Sequence, residues 1–144
     1  MTDRFASLDD RRAIIDRRAL ADALDTAMAN ARHGSARRRI LVLMLKDALD
    51  AGRAEVARRL ALHPTAGRAA ALAQTFLIDQ IIRLAHDVVT DHLYPSGNKS
   101  SGERLALIAV GGYGRAELCP HSDVDIGFIT PFKQTSWTEQ VIEA

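Results

Sequence analysis

Through the first ninety or so residues, apolar side chains recur at three- and four-residue steps. In residues 9–32, Ile14, Ala21, Leu24, Met28 and Ala31 form one stripe on an otherwise polar segment, which predicts an amphipathic helix. Residues 35–51 carry Leu41, Met44, Leu45, Ala48 and Leu49 in the i, i+3, i+4, i+7, i+8 pattern of a second helix. The run 40–45 resembles a buried strand, but the flanking Arg and Lys and the continuation of the stripe through Leu49 favour helix. Gly52 reads as the end of that helix, a shorter one follows over residues 53–62, and Pro64 marks a boundary. A long helix then covers residues 66–93, with Leu72, Phe76, Ile78, Ile81, Ile82, Ala85 and Val89 towards one side, until Tyr94-Pro95-Ser96-Gly97 stops it.

The period changes after residue 94. PSGNKSSG, residues 95–102, consists of turn formers with no apolar residue and reads as a linker. Residues 105–110 are a short continuous apolar run, as expected of a strand covered on both faces. Gly111-Gly112-Tyr113-Gly114 turns the chain, and residues 124–130 form a second strand candidate closed by Pro131. Ser136-Trp137-Thr138-Glu139 matches a capping box and should open a helix. The chain stops barely two turns later, which reads as truncation. The expected fold class is α+β: a helical region over residues 1–94, a linker over 95–103, and the opening strand–turn–strand of a second, incomplete domain over 104–144.

Composition narrows the function classes. The 144 residues are 47% hydrophobic and 26% charged, enough to bury a core. A net charge of +1 and 5% aromatic residues give no support to nucleic-acid binding. Charge is uneven: residues 1–60 hold 13 basic and 9 acidic side chains, whereas residues 61–144 hold 6 and 9. Arg37-Arg38-Arg39 contributes to the basic excess, which reads as a solvated helix face or as a patch for an acidic partner. The single cysteine, Cys119, excludes an internal disulfide and a cysteine-rich zinc site. No apolar run reaches the length of a membrane span and the N-terminus has no secretory signal, so a cytoplasmic protein without a membrane partner is expected.

The stretch LIAVGGYGRAELCPHSDVDIGF, residues 107–128, carries the candidate chemistry. In a strand, Asp123 and Asp125 share a face while Val124, Ile126 and Phe128 point into the core. Carboxylates roughly 6.6 Å apart along a strand repel each other, and a hard divalent cation between them removes the penalty. Mg²⁺ suits them, since it takes one or two carboxylates together with substrate phosphates and water. A lone Asp-x-Asp is also what an exposed acidic pair looks like. Upstream, Gly111 and Gly112 lack Cβ atoms, so the backbone there can approach a ligand and aim its N–H groups at phosphate oxygens; a plain tight turn is the other reading. A helical turn over residues 113–118 would add its dipole, and Arg115 a fixed positive charge. A phosphate cradle followed by a two-carboxylate metal site is what transfer of a nucleotidyl group requires.

A strand, Gly-Gly, about ten residues and then Asp–apolar–Asp–apolar resembles the polymerase-β-like nucleotidyltransferase superfamily. More narrowly, GGYGRAEL followed by PHSDVDI resembles the bacterial bifunctional uridylyltransferase/uridylyl-removing enzymes of nitrogen regulation. DHLYP and the tail PFKQTSWTEQVIEA are similar to members of that family; the similarity is moderate over residues 35–95, strong over 104–144 and absent from the first thirty. The resemblance implies that Asp123 and Asp125 are catalytic and hold Mg²⁺, that Gly111 and Gly112 contact the phosphates of UTP, and that Ser122 binds phosphate or orients a carboxylate. It implies transfer of UMP to a tyrosine hydroxyl of the PII regulatory protein, with release of pyrophosphate. A third carboxylate, a hydrolase domain that removes UMP, and domains that sense glutamine as effector would lie beyond Ala144, leaving the present 144 residues inactive alone. Two positions depart from the family pattern: Ala116 where Gly is usual, harmless in a short helix, and Gly127 where an aliphatic residue is usual, which loosens the strand or opens room beside the carboxylates.

His86-Asp87 is the dipeptide of the family's hydrolase half, but without converging ligands it reads as an exposed helix edge. His33, His63 and His121 read as surface residues near helix ends or loops, Cys119 as an unactivated thiol and Trp137 as a packing residue. Two rivals remain beside uridylyl transfer: a related protein adenylyltransferase, and a non-catalytic helical interaction module.

Overall fold

The computed structural model describes residues 3–97, 104–131 and 134–144, so residues 98–103 of the expected linker lie outside the described residues. The architecture is α+β: helices α1 (Arg11–Ile14), α2 (Arg17–Asn30), α3 (Gly34–Leu62) and α4 (Gly67–Val88), then β1 (Ala106–Ala109), α5 (Gly111–Gly114), β2 (Ile126–Ile129) and α6 (Ser136–Glu143). A π-helical turn, Val89–Leu93, extends α4 and is closed by the Tyr94 N–H donating to the Val89 carbonyl at 2.8 Å.

The helix expected over residues 9–32 is broken. Ile15 is extended, and Asp16 restarts the helix by accepting a hydrogen bond from the Ala19 N–H at 3.1 Å. The break lets Ile14, Leu24 and Met28 all reach the core. Gly52, in contrast, breaks nothing: α3 runs straight through it. A Cβ there would sit 2.4 Å from Leu77 Cδ1 and 2.8 Å from the Ile14 carbonyl oxygen, so the glycine is a contact point where α4 and α1 press on α3. His33 and His63 cap α3 at its two ends and are exposed.

Helix α4 is the centre of the molecule. Residues 73–79 are buried in succession, which a single amphipathic stripe cannot produce. One side packs in the main core with Leu24, Met28, Leu41, Leu45 and Val56; another forms a smaller core in which Ile78 meets Tyr113 and Leu118. The C-terminal segment joins the main core through Val141 and Trp137, whose Nε1–H donates to the Tyr94 carbonyl at 2.7 Å. Helix α6 is capped one residue earlier than the sequence suggests. Thr135 is the N-cap and its box partner is Thr138, because their spacing lets each side chain reach the other's backbone N–H.

Strands β1 and β2 pair antiparallel, Ala106 opposite Ile129 and Ala109 opposite Ile126. Both are shorter than expected, and β1 is not covered on both faces. On the outer face Ile108 is 42% and Ile129 52% exposed, because helices flank one side alone. Nor are Val124, Ile126 and Phe128 core residues. Ile126 and Phe128 border a cavity of about 220 Å³ between the sheet, α4 and α6, and all three remain exposed. No helix among the described residues is long and apolar enough to cross a membrane.

Candidate functional site

The site is a loop strung between the two strands, and each bend in it has a local cause. At its start the Val110 N–H donates to the Asp125 carbonyl at 3.1 Å, carrying the ladder one step past the strands and bringing Asp125 alongside Gly111. Gly111 has φ +55°, and a Cβ on it would lie 3.0 Å from Asp125 Oδ2. Glycine is required there twice over, by backbone conformation and by the neighbouring carboxylate. Gly114 is required as well, since its Cβ would stand 2.8 Å from the Ala109 carbonyl oxygen. Gly112 is different: a Cβ would meet only the Glu117 carbonyl oxygen, at 3.6 Å, an ordinary contact.

The helical turn expected over residues 113–118 sits two residues earlier, at Gly111–Gly114, so Gly111, Gly112 and Tyr113 supply the first-turn N–H groups that have no acceptor four residues back. Ala116 is therefore not in a helix. It has φ +60°, the left-handed region where glycine costs nothing and alanine about 1 kcal/mol. That conformation accounts for the glycine which the family resemblance leads one to expect at this position.

From Leu118 the chain makes the turn Cys119-Pro120-His121-Ser122, closed by the Ser122 N–H on the Cys119 carbonyl at 3.1 Å. Pro120 at the second position and His121 at φ +68° at the third are the marks of a type II turn. The Ser122 hydroxyl donates to the same carbonyl at 2.9 Å, so in this structure it braces the turn that delivers Asp123.

Asp123, Asp125 and Ser122 are exposed, and so are Gly111 and Arg115. Neither aspartate is held by a hydrogen bond or ion pair to another described residue. The structure thus brings together Gly111 and Asp125. It does not bring Arg115 to them: that guanidinium donates to Glu117 at 3.0 Å and borders a separate concavity with Arg4 and Arg68. Asp123 and Asp125 lie just ahead of β2 rather than within a strand spanning 124–130. At Gly127, on the carboxylate side of β2, the missing side chain leaves no room, because Ile108 fills it: a Cβ would stand 2.9 Å from Ile108 Cγ1. No group of three His, Cys, Asp or Glu among the described residues is arranged to hold a metal. His86 and Asp87 form no such site; Asp87 pairs with Arg17 at 2.7 Å, and His92 with Asp25 at 2.9 Å.

Two residues of α4 that the pattern of apolar positions passed over, Thr75 and Asp79, fix this loop to the helix. Thr75, fully buried, donates from its hydroxyl to the Ala71 carbonyl at 2.8 Å and accepts from the Leu118 N–H at 3.1 Å. One turn further on, Asp79 is held by Arg83 at 2.8 Å and Gln80 at 3.0 Å, and more loosely by Arg4 at 3.4 Å. Arg4 also reaches towards the Gly114 carbonyl at 3.5 Å and lies over the Phe5 ring. Tyr113, 4% exposed, packs beside Asp79, and burial first and that carboxylate second push its hydroxyl pKa up to about 12. Tyr113 is therefore a neutral anchor at any physiological pH. The signal for these residues in the sequence is Thr75, Asp79 and Arg83 at four-residue spacing inside an apolar helix.

Residues 3–144 match the family described as Glutamate-ammonia ligase adenylyltransferase. A bifunctional uridylyltransferase/uridylyl-removing enzyme of Novosphingobium aromaticivorans is 58% identical over 134 residues, 93% of this chain and 14% of the relative. The protein of the same name from Erythrobacter litoralis is 50% identical over 134 residues, again 93% and 14%. That of Rhodospirillum rubrum is 46% identical over 132 residues, 92% and 14%. The chain spans about a seventh of the length of these relatives (14%). No solved structure matches. The chain belongs to the glutamate-ammonia ligase adenylyltransferase family, and its likeness to the bifunctional uridylyltransferase/uridylyl-removing enzymes covers nearly all of its residues.

Proposed function

We propose that the complete polypeptide transfers UMP from UTP to a tyrosine hydroxyl of the PII nitrogen-regulatory protein and releases pyrophosphate. The observation that carries this reading is the contact between the glycine turn and the second aspartate, Gly111 lying where any Cβ would be 3.0 Å from Asp125 Oδ2. A backbone that donates N–H groups to phosphate and a carboxylate that can hold a cation are then side by side, as a metal-bound triphosphate demands.

Asp123 and Asp125 fit Mg²⁺ in donor type and number, since this ion is commonly held by one or two carboxylates with phosphate and water oxygens completing the set. Bound there, the ion would supply charge neutralisation at the reacting phosphate. The chain's own residues do the rest. The first-turn N–H groups of Gly111, Gly112 and Tyr113 donate to phosphate oxygens, and the missing side chain of Gly112 lets the triphosphate approach the backbone. The Ser122 turn holds the aspartates at the mouth of the site. The acceptor oxygen attacks the α-phosphorus, the bond to the bridging oxygen breaks, and pyrophosphate leaves, while the hydroxyl proton passes to a general base or to solvent.

The names of the relatives support uridylyl transfer. They also support removal of UMP by the complete protein. Glutamine would act as effector through other domains, and a cytoplasmic setting follows from the substrates. The family description favours a second reading, adenylyl transfer from ATP. In the complete enzyme, Asp123→Asn and Asp125→Asn should each lower UMP transfer about a hundredfold or more while leaving the circular dichroism spectrum unchanged. Near-normal transfer by either variant would refute the metal assignment, and strict preference for ATP over UTP in the wild type would refute the uridylyl reading.

A further inference from the structure

The loop that carries the glycines and aspartates has little structure of its own. Between Gly114 and Ile126 it contains no helix or strand, and the side chains of its aspartates make no hydrogen bond or ion pair with another described residue. Its ends are held by the strand ladder and the Val110–Asp125 bond, and between them two attachments fix it to one face of α4. The first is Tyr113, at the end of the glycine turn, seated beside Asp79 with Ile78 and Leu118 around it. The second is the Leu118 N–H on the Thr75 hydroxyl, a buried bond between residues 43 apart in sequence. Thr75 and Asp79 are one helical turn apart, so both attachments share a rigid element.

We infer that Thr75 is a positioning residue for nucleotide binding: its buried hydroxyl, with Asp79 one turn away, holds residues 111–118 on α4 and so sets the glycine amides against Asp125. This rests on the nucleotide-transfer reading given above and assigns part of that site to the helical region. Thr75 touches neither phosphate nor metal; it acts through the backbone of Leu118. A threonine donates one hydrogen and offers two lone pairs, and here the hydrogen goes to Ala71 while a lone pair serves Leu118. Valine matches its shape but leaves that N–H buried with no acceptor, and the loop must move to find one.

Such a shift separates from simple destabilisation by its kinetic signature. Loss of folded enzyme lowers the apparent kcat and leaves KM unchanged, whereas a displaced phosphate cradle raises KM for the nucleotide and spares KM for the acceptor protein. In the complete enzyme, Thr75→Val should raise KM for Mg·UTP about tenfold, with the KM for the acceptor unchanged, and Thr75→Ser should restore the wild-type value. Tyr113→Phe, which keeps the ring and removes only the hydroxyl beside Asp79, should raise the same KM in the same sense. It decides the matter should Thr75→Val fail to fold. An unchanged nucleotide KM in Thr75→Val, or in Tyr113→Phe where the valine variant does not fold, overturns the inference while leaving the functional reading in place. A wild-type enzyme that transfers no nucleotide overturns the functional reading and this inference with it.

Discussion

At the scale of single residues, the glycines of the turn divide into those the fold needs and one it does not. Gly111 is fixed by a positive φ and by Asp125, and Gly114 by the Ala109 carbonyl, whereas Gly112 has room for a methyl group. A residue kept small where packing allows a larger one points to a ligand that needs the space. Gly112→Ala should therefore leave the melting temperature of the chain almost unchanged, within the effect of about 0.5 kcal/mol expected of a neutral surface substitution. In the complete enzyme it should raise KM for UTP about tenfold, the scale on which one extra methylene is felt in a fitted pocket. Equal KM values for the two proteins would show that the triphosphate does not pass over this residue. Ala116 teaches the opposite lesson. A departure from the family pattern that looks harmless on the assumption of a helix is seen to cost strain once the backbone is known to be left-handed there.

At the scale of elements, periodicity made the helices legible but not their punctuation. Gly52 reads as a stop because glycine is a weak helix former, yet burial against Leu77 and Ile14 turns it into a packing residue inside one long α3. The break at Ile15 and Asp16 was hidden for the converse reason: the stripe of Ile14, Leu24 and Met28 is continuous in sequence although the backbone is not. The sequence motif named the glycines and aspartates, but Thr75 and Asp79 could be understood only once a loop forty residues downstream was seen to pack on α4. A further element-level contact makes a prediction in acid. Glu55 of α3 accepts from Arg58 Nε at 2.7 Å and Nη2 at 2.9 Å and from Arg59 Nε at 2.7 Å, and Arg59 in turn donates to the Asp9 and Asp10 carbonyls, each at 2.8 Å. These two guanidinium groups hold the Glu55 carboxyl at about 2, against an ordinary value of 4.5. Because the folded value is the lower, the stabilisation is complete above the ordinary value and is lost as pH falls from 4.5 towards 2. The difference in melting temperature between wild type and Glu55→Gln should be constant above about pH 5 and shrink through that acid window. A difference that persists undiminished to the acid end would show that Glu55 does not clamp the N-terminal segment through Arg59.

At the scale of the whole molecule, order flows outward from α4. The largest enclosed side chains, Leu24, Met28, Leu77 and Leu84, belong to the helical layer, whereas the two strands have four residues each and leave Ile108 and Ile129 open to solvent. A two-stranded sheet of this length is marginal by itself, so its stability must be borrowed from the helices through Tyr113, Leu118 and Val141. Amide hydrogen exchange should expose this hierarchy. The amides of α3 and α4 should exchange slowest, and Leu118, although it lies in a loop, should exchange with them because its N–H is locked on Thr75. The amides of residues 123–125, beyond the same turn and free of α4, should exchange much faster. Thr75→Val should release Leu118 together with the loop it anchors and leave α3 protected. If Leu118 exchanged as fast as its loop neighbours in the wild type while β2 matched α4, the sheet would be self-supporting. The helical region would then be packing beside the candidate site without holding it in place.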